Sequence, residues 1–460
     1  MAHLKRRFIL VLTMGIWFTP SWSQTTIQLD STVLQVDTLL TGLNVPWEIV
    51  WGPDEQIWFT ERHGTINRLD PVTGQRTTLL NYMDKVYQSG ESGMLGLFLH
   101  PDFAVSPFVY TAYTYRDNGQ TWERIVRFDY QNDTLVNEDV LVDQIPANTT
   151  HDGCRFLLLP DKTLLVTTGD ARNDAASQMV SSLNGKILRM NLDGTIPTDN
   201  PNATSYVWAW GIRNTQGLTL GKNNLIYGSE HGPSNDDEVN VLEKGRNYGW
   251  PSVAGFCNSS QELAFCNDSN VKEPMINWTP TIAPSDLIYY THSAIPEWTN
   301  KLLMTVLKDK MLVAMPLSTD GTKITGQTSY IKNYYGRLRD ICTDGKGAIY
   351  LATNGQSWSN VDPYTHSIIK LWNPSFISVK PEQTATPLIY PNPGRQSFQV
   401  RDPDHEWNRM EIFAADGIKV DELNLTDDLP YPTQRLQVGV YLIRLSGKNG
   451  TYTQRWVKLE

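Results

Sequence analysis

The stretch Ser229–Pro251, SEHGPSNDDEVNVLEKGRNYGWP, packs one histidine, a Gly-Pro turn and three consecutive acids, Asp236, Asp237 and Glu238, into a few residues. Adjacent carboxylates repel one another, so a loop that keeps three together calls for a cation nearby. Carboxylates and turn carbonyls are hard oxygen donors and suit Ca²⁺. The ring nitrogens of His231 suit such a cation poorly. A solvated acidic loop would carry the same residues, so the acids alone leave both readings open.

The elements that must position such a loop read as strands. Helical periodicity is almost absent, and turns recur ahead of short apolar runs: Gly52–Gln56 before Ile57–Thr60, Pro160–Lys162 before Thr163–Thr167, Gly221–Asn224 before Leu225–Gly228, and Asp344–Gly347 before Ala348–Ala352. The recurrence is degenerate and unevenly spaced, which is the pattern of radial repeats with loop insertions. Roughly 340 residues at about 40–50 per blade allow six to eight blades, and six is favoured. An array of β-sandwiches is the alternative.

The predicted fold class is therefore all-β, a six-bladed β-propeller over 24–372 followed by a small C-terminal β-sandwich over 388–460. Residues 373–387 hold several prolines and read as a linker. Beyond it, Phe398–Val400, Met410–Phe413, a turn at Asp416-Gly417, Gly439–Leu445 and Thr453–Leu459 alternate as strands of a module of about seven. At the other end, Lys5, Arg6 and Arg7 precede an apolar run, Phe8–Phe18, too short to span a bilayer, with small residues at Ser21 and Ser23. Residues 1–23 thus read as a secretory signal, and no later run is apolar enough to be transmembrane.

The chain of 460 residues is long enough for a sizeable core. Its 39 basic and 49 acidic residues give a net charge of −10, against a nucleic-acid partner, which needs a basic face. In an exported protein, Cys257 and Cys266, close together in a polar loop, are the favoured disulfide. Cys154 and Cys342 read as buried thiols, with a pairing between them left open.

Nine segments between Gly42 and about Trp372, in order, resemble the soluble glucose/sorbosone dehydrogenase family, quinoproteins that use pyrroloquinoline quinone (PQQ). They are Gly42–Trp47, Gly93–Leu97 with His100–Phe103, His151–Arg155, Gly169-Asp170, Asn184–Arg189, Gly211–Gly217, the acidic stretch itself, Ala283–Ser285 and Gly336–Asp340. The last 70 or so residues resemble the type A sorting domain of the type IX secretion system, through Tyr390–Pro393, Phe398, Ile412-Phe413, Asp416-Gly417, Gly439–Ile443 and Val457-Lys458. That resemblance implies the secretion machinery as a partner and a secreted or cell-surface location; an ordinary binding sandwich is the alternative.

The resemblance implies oxidation of the C1 hydroxyl of an aldose to a lactone, with electrons passing on to an external acceptor. His151, in a loop before the apolar run Phe156–Leu159, matches the family's base, and a neutral histidine suits that role near pH 7. Arg213 and Asn214 match the pair at the quinone oxygens. PQQ is a tricarboxylate and calls for Arg and Lys; the matching residues are Lys308, Arg337 and Arg339, with Thr281, and in a strand Arg337 and Arg339 would point the same way. One Ca²⁺ would be held with the cofactor by the carbonyls of Gly232 and Pro233, and a second, structural one by Asp237, Glu238 and the Tyr248 carbonyl.

Three positions depart from the glucose enzyme of the family. Glu91 stands in place of a glutamine near the sugar, Thr150 in place of an aspartate before the base, and Thr279 in place of a tryptophan over the cofactor. They point away from glucose itself and towards the broader aldose dehydrogenases. A non-catalytic binding propeller and a Ca²⁺-dependent sugar lactonase are the readings from other classes.

Overall fold

A computed structural model describes residues 25–356, 366–376, 388–401, 407–415, 417–425, 430–447 and 450–459. The predicted signal, most of the predicted linker and Asp416 lie outside the described residues. Contacts divide the chain into two units, residues 1–376 and 377–460.

Six antiparallel sheets make up the first unit among the described residues. Five are four-stranded meanders that follow one another in sequence, beginning with the strands Pro46–Trp51, Met94–Leu99, Phe156–Leu158, Thr215–Leu220 and Pro284–Tyr290. The sixth begins with Leu338–Thr343 and continues through Ile349–Thr353 and His366–Trp372. Its fourth position is taken by Val33–Leu43 from the start of the unit, which runs antiparallel to His366–Trp372 with Val36 opposite Leu371, and Thr25–Gln28 adds a fifth strand outside it. The first strand of each sheet touches the first strand of the next, and the sixth returns to the first. The result is a closed six-bladed propeller, which protects the sheet edges by radial repetition.

Short strands hold together because the blades bury both faces. Ile57–Glu61, Leu164–Thr168 and Ile349–Thr353 are buried at every position. The cores lie between neighbouring blades. One such cluster joins Trp298, Leu303 and Leu312 of the fifth blade to Ile341, Leu351 and Ile369 of the sixth and to Leu34 and Val36 of the closing strand.

An antiparallel meander puts the entry to the first strand and the turn between the second and third strands at the same end of a blade. These two sets of loops form one face of the ring. Backbone bonds stitch them together: the Met94 N–H donates to the Arg62 carbonyl at 2.9 Å and the Asp170 N–H to the Arg213 carbonyl at 2.8 Å.

The polar loop of the fourth blade carries a feature the sequence pattern did not announce, the α-helix Ser260–Asp268, capped by Ser259 and Glu262. A disulfide joins Cys257 to Cys266 across it. Cys154 and Cys342 are buried free thiols.

The second unit consists, among its described residues, of a three-stranded sheet (Leu388–Tyr390, Ser397–Arg401, Tyr431–Pro432) and a four-stranded one (Trp407–Ala414, Lys419–Asn424, Gly439–Gly447, Gly450–Lys458). Phe398 of the first packs on Trp456 of the second at 4.9 Å between ring centroids, closing a sandwich core with Ile412 and Ile443.

Candidate active site

His151 sits in the loop that enters the third blade, with φ at +64°, a left-handed conformation that costs a histidine energy and so has to be held. It is held from both sides. Its N–H donates to Glu91 Oε2 at 2.8 Å, and its carbonyl accepts from the Ala171 N–H at 3.1 Å. Gly169 passes so close that a Cβ there would run into the His151 carbonyl.

The ring of His151 is fixed by Asp170, from the turn between the second and third strands of the same blade. Nδ1 lies 2.7 Å from Asp170 Oδ1. Burial raises the Asp170 carboxyl, but the His151 bond, the Arg172 N–H at 2.8 Å and the Arg213 charge outweigh it and leave the group below its ordinary range. Asp170 is therefore a carboxylate, Nδ1 carries the hydrogen, and Nε2 presents a lone pair. The other Asp170 oxygen accepts from the Trp250 indole N–H at 2.9 Å, and the Arg213 guanidinium lies over the Trp250 ring at 5.3 Å. Gly169-Asp170 is part of the sequence resemblance, yet the sequence gives Asp170 no role. The link from Asp170 through Trp250 to Arg213 spans three loops, so no local spacing signals it.

Arg213 and Asn214 enter the fourth blade. The Arg213 N–H donates to Glu230 Oε1 at 2.6 Å and its Nη1 to the His231 carbonyl at 3.1 Å. Asn214 is fully buried; its Oδ1 accepts from the Gly153 N–H and from Gln216 Nε2, while its Nδ2 has no hydrogen-bond partner. Such an unmet buried donor marks a place where a ligand oxygen fits.

Arg337 and Arg339 flank the start of the sixth blade, and both are buried. Arg339 donates to Gln216 Oε1 at 2.8 Å, and its Nε is unpartnered. Burial, with Arg155 and Arg337 adding and the Glu91 charge opposing, brings the Arg339 guanidinium down to about 9; it stays cationic at neutral pH. Lys308, in the turn of the fifth blade, is exposed and donates to Thr281 Oγ1 at 2.9 Å. Positive donors of three blades thus share the face that holds His151.

His231 is neutral: burial, then the charges of Arg339 and Arg213, push its ring down to about 3, and its Nε2 lies 2.7 Å from the Pro284 carbonyl. None of the described hydrogen bonds ends on the carbonyl of Gly232, Pro233 or Tyr248. Asp237, expected as a metal ligand, takes three backbone N–H groups, from Gly232 at 2.8 Å, Ile282 at 2.6 Å and Ala283 at 2.7 Å, and so ties the fourth blade's turn to the fifth blade's entry. Glu238 accepts from the Gly255 N–H at 2.5 Å and from Asn240 at 2.9 Å.

Glu230 stands opposite Glu238 in the strand register, and its Oε2 is buried without a partner. Burial, then the neighbouring charges of Asp236 and Asp237, push Glu238 up to about 7, and burial with the Glu238 charge raises Glu230 well above its usual range. Both acids and Tyr248 line a cavity of ≈ 10 Å³, large enough for one water or ion. Glu230 is a residue that sequence reasoning passed over, because its partner lies eight positions on, across a turn. Among the described residues, no group of three or more His, Cys, Asp or Glu side chains is placed to hold a metal; a site built largely from carbonyls does not need one.

Of the departures, Glu91 supports the His151 loop, Thr279 Oγ1 donates to Asp236 Oδ1 at 2.9 Å, and the Thr150 hydroxyl is buried without a partner.

Comparison with known proteins places the chain among sugar dehydrogenases by family. A family model described as Glucose / Sorbosone dehydrogenase matches residues 43–359, and one described as Secretion system C-terminal sorting domain matches residues 388–459. The quinoprotein glucose dehydrogenase B of Acinetobacter calcoaceticus is 36% identical over 254 residues, 48% of this chain and 53% of that protein. The aldose sugar dehydrogenase of Escherichia coli strain K12 is 28% identical over 76% of this chain and 95% of its own. Among solved structures, the PQQ-bound aldose sugar dehydrogenase of Streptomyces coelicolor superposes with a TM-score of 0.65 at 32% identity, covering 74% of this chain and 98% of that one.

Proposed function

The chain belongs to the glucose/sorbosone dehydrogenase family, and from that premise we propose that it is an exported, PQQ- and Ca²⁺-dependent aldose dehydrogenase. The observation that carries the reading is the His151–Asp170 pair, set on the same face as buried donors short of acceptors. A tricarboxylate with quinone oxygens fits that face: Asn214 Nδ2 and Arg339 Nε are buried donors without partners, and Lys308 with Thr281 waits at the rim.

When bound, PQQ would supply a two-electron acceptor and Ca²⁺ a Lewis acid at the quinone. The chain supplies the rest. Nε2 of His151 takes the proton of the C1 hydroxyl, and the Asp170 carboxylate steadies the imidazolium that forms. Arg213 offers positive charge, and Asn214 a hydrogen-bond donor, where negative charge grows. Arg337, Arg339, Lys308 and Thr281 hold carboxylates. The carbonyls of Gly232 and Pro233 would take the Ca²⁺ beside the cofactor, and Asp237 and Glu238 with the Tyr248 carbonyl a structural one, with the unpartnered oxygen of Glu230 beside Glu238. The C-terminal unit is the export address, read by type IX secretion machinery, and leaves the enzyme secreted or on the cell surface.

The test is reconstitution of the full exported chain with PQQ and Ca²⁺, followed by an aldose panel with a reducible dye. Turnover that disappears on adding a chelator supports the reading. A chain that neither binds PQQ nor turns over any aldose sinks it.

A further inference from the structure

Resting on the cofactor reading above, we propose that Arg62 is a third guanidinium of the anion clamp, binding a cofactor carboxylate alongside Arg337 and Arg339, with Glu91 as its counter-charge until that anion arrives.

Its place in the ring is the first argument. Arg62 lies in the turn between the second and third strands of the first blade, Ile57–Glu61 and Thr65–Leu69. The same turn carries Asp170 in the third blade, His231 to Pro233 in the fourth and Lys308 in the fifth. The first blade therefore presents a guanidinium where three other blades present their working residues.

The surroundings are built for it. The Arg62 N–H donates to the Val45 carbonyl at 3.1 Å, and its carbonyl accepts from Met94 at 2.9 Å, so the turn is locked to the entries of two blades. At Gly93, with φ at +154°, a Cβ would run into the Arg62 carbonyl and Cγ, so the glycine leaves the room its stem needs.

What the side chain lacks is an acceptor. Arg62 is 8% exposed, and its Nε has no hydrogen-bond partner. A buried guanidinium left short of acceptors is costly unless something arrives to complete it. The carboxylate whose charge acts on it is Glu91, which also acts on Arg337 and Arg339. Glu91 is shared between Arg62 and Arg339, and its Oε2 is already engaged by the His151 N–H. A ligand carboxylate would complete the Arg62 guanidinium.

The experiment titrates PQQ into the full chain with Ca²⁺ present, reading tryptophan fluorescence and equilibrium dialysis, for wild type, Arg62→Gln, Arg62→Lys and Arg339→Gln. Arg62→Gln is expected to raise Kd at least about tenfold, as loss of a charge-assisted pair does, with Arg62→Lys intermediate because lysine keeps the charge but not the fork. Arg62→Gln binding within twofold of wild type, while Arg339→Gln binds weakly, overturns this assignment and leaves the cofactor reading standing. A wild type that binds no PQQ overturns both. Should Arg62→Gln fail to fold, Arg62→Lys is read in its place, and unchanged affinity there overturns the proposal.

Discussion

Two groups of buried arginine share the six-bladed unit, and they are finished differently. Arg155, deep in the ring, is saturated: its Nη1 donates to Glu48 and Asp340, each at 2.6 Å, its Nε to the Gln216 carbonyl at 2.7 Å, and it lies over the Trp47 ring at 4.2 Å. Arg62 and Arg339 each keep an Nε with no partner. Burial is the same in kind, but the protein completes one group and leaves the other short. A completed guanidinium holds blades together, since Arg155 links the first, third, fourth and sixth. An incomplete one is shaped for something that comes from outside.

The largest effect that would break this distinction comes from His151, the proposed base. His151→Ala should lower turnover of the reconstituted enzyme about 10²–10⁴-fold while PQQ still binds; steady-state dye reduction alongside a binding titration checks it, and full turnover would remove His151 from the chemistry. Next is Arg155→Ala, which strands Glu48 and Asp340 and should cost about 3–5 kcal/mol in denaturant unfolding. If it instead weakened PQQ binding at unchanged stability, the two groups would not be distinct.

The smallest effect is a pH slope. Burial, with the Asp340 charge adding and Arg155 opposing, pushes Glu48 up to about 8 from 4.5. The folded chain then holds a proton that the unfolded chain has already released. Stability from this group is complete below about 4.5 and is lost as pH rises through about 8. Melting temperature should fall across that window, and Glu48→Gln should flatten the fall.

How much of this could be read from the sequence follows from distance along the chain. Four of the turn-and-strand signals, at Ile57, Thr163, Leu225 and Ala348, turn out to mark the second strand of blades one, three, four and six. The second and fifth blades gave no such signal, because their first two strands are joined by longer connections, residues 100–107 and 291–300. His151 stood out through its motif. Asp170 is 19 residues away, in another loop, and its role is set only when the blade folds. Arg62 and Glu230 carry no signal at all: a single arginine or glutamate after a strand looks like any surface charge until its missing partner is seen. The acid cluster drew attention to Asp237 and Glu238; folding ties Asp237 to three backbone N–H groups and brings Glu230 in beside Glu238.

The strand Val33–Leu43 completes the sixth blade by lying against His366–Trp372. During synthesis it therefore appears, with Thr25–Gln28, ahead of the other strands of that blade and has to wait for nearly the whole ring to follow. The delay costs little free energy, since loop-closure entropy grows only as the logarithm of length. It costs time, because so distant a pairing is slow. Until the last strand arrives the ring is not closed, so the loop face is complete only when nearly the whole unit is present.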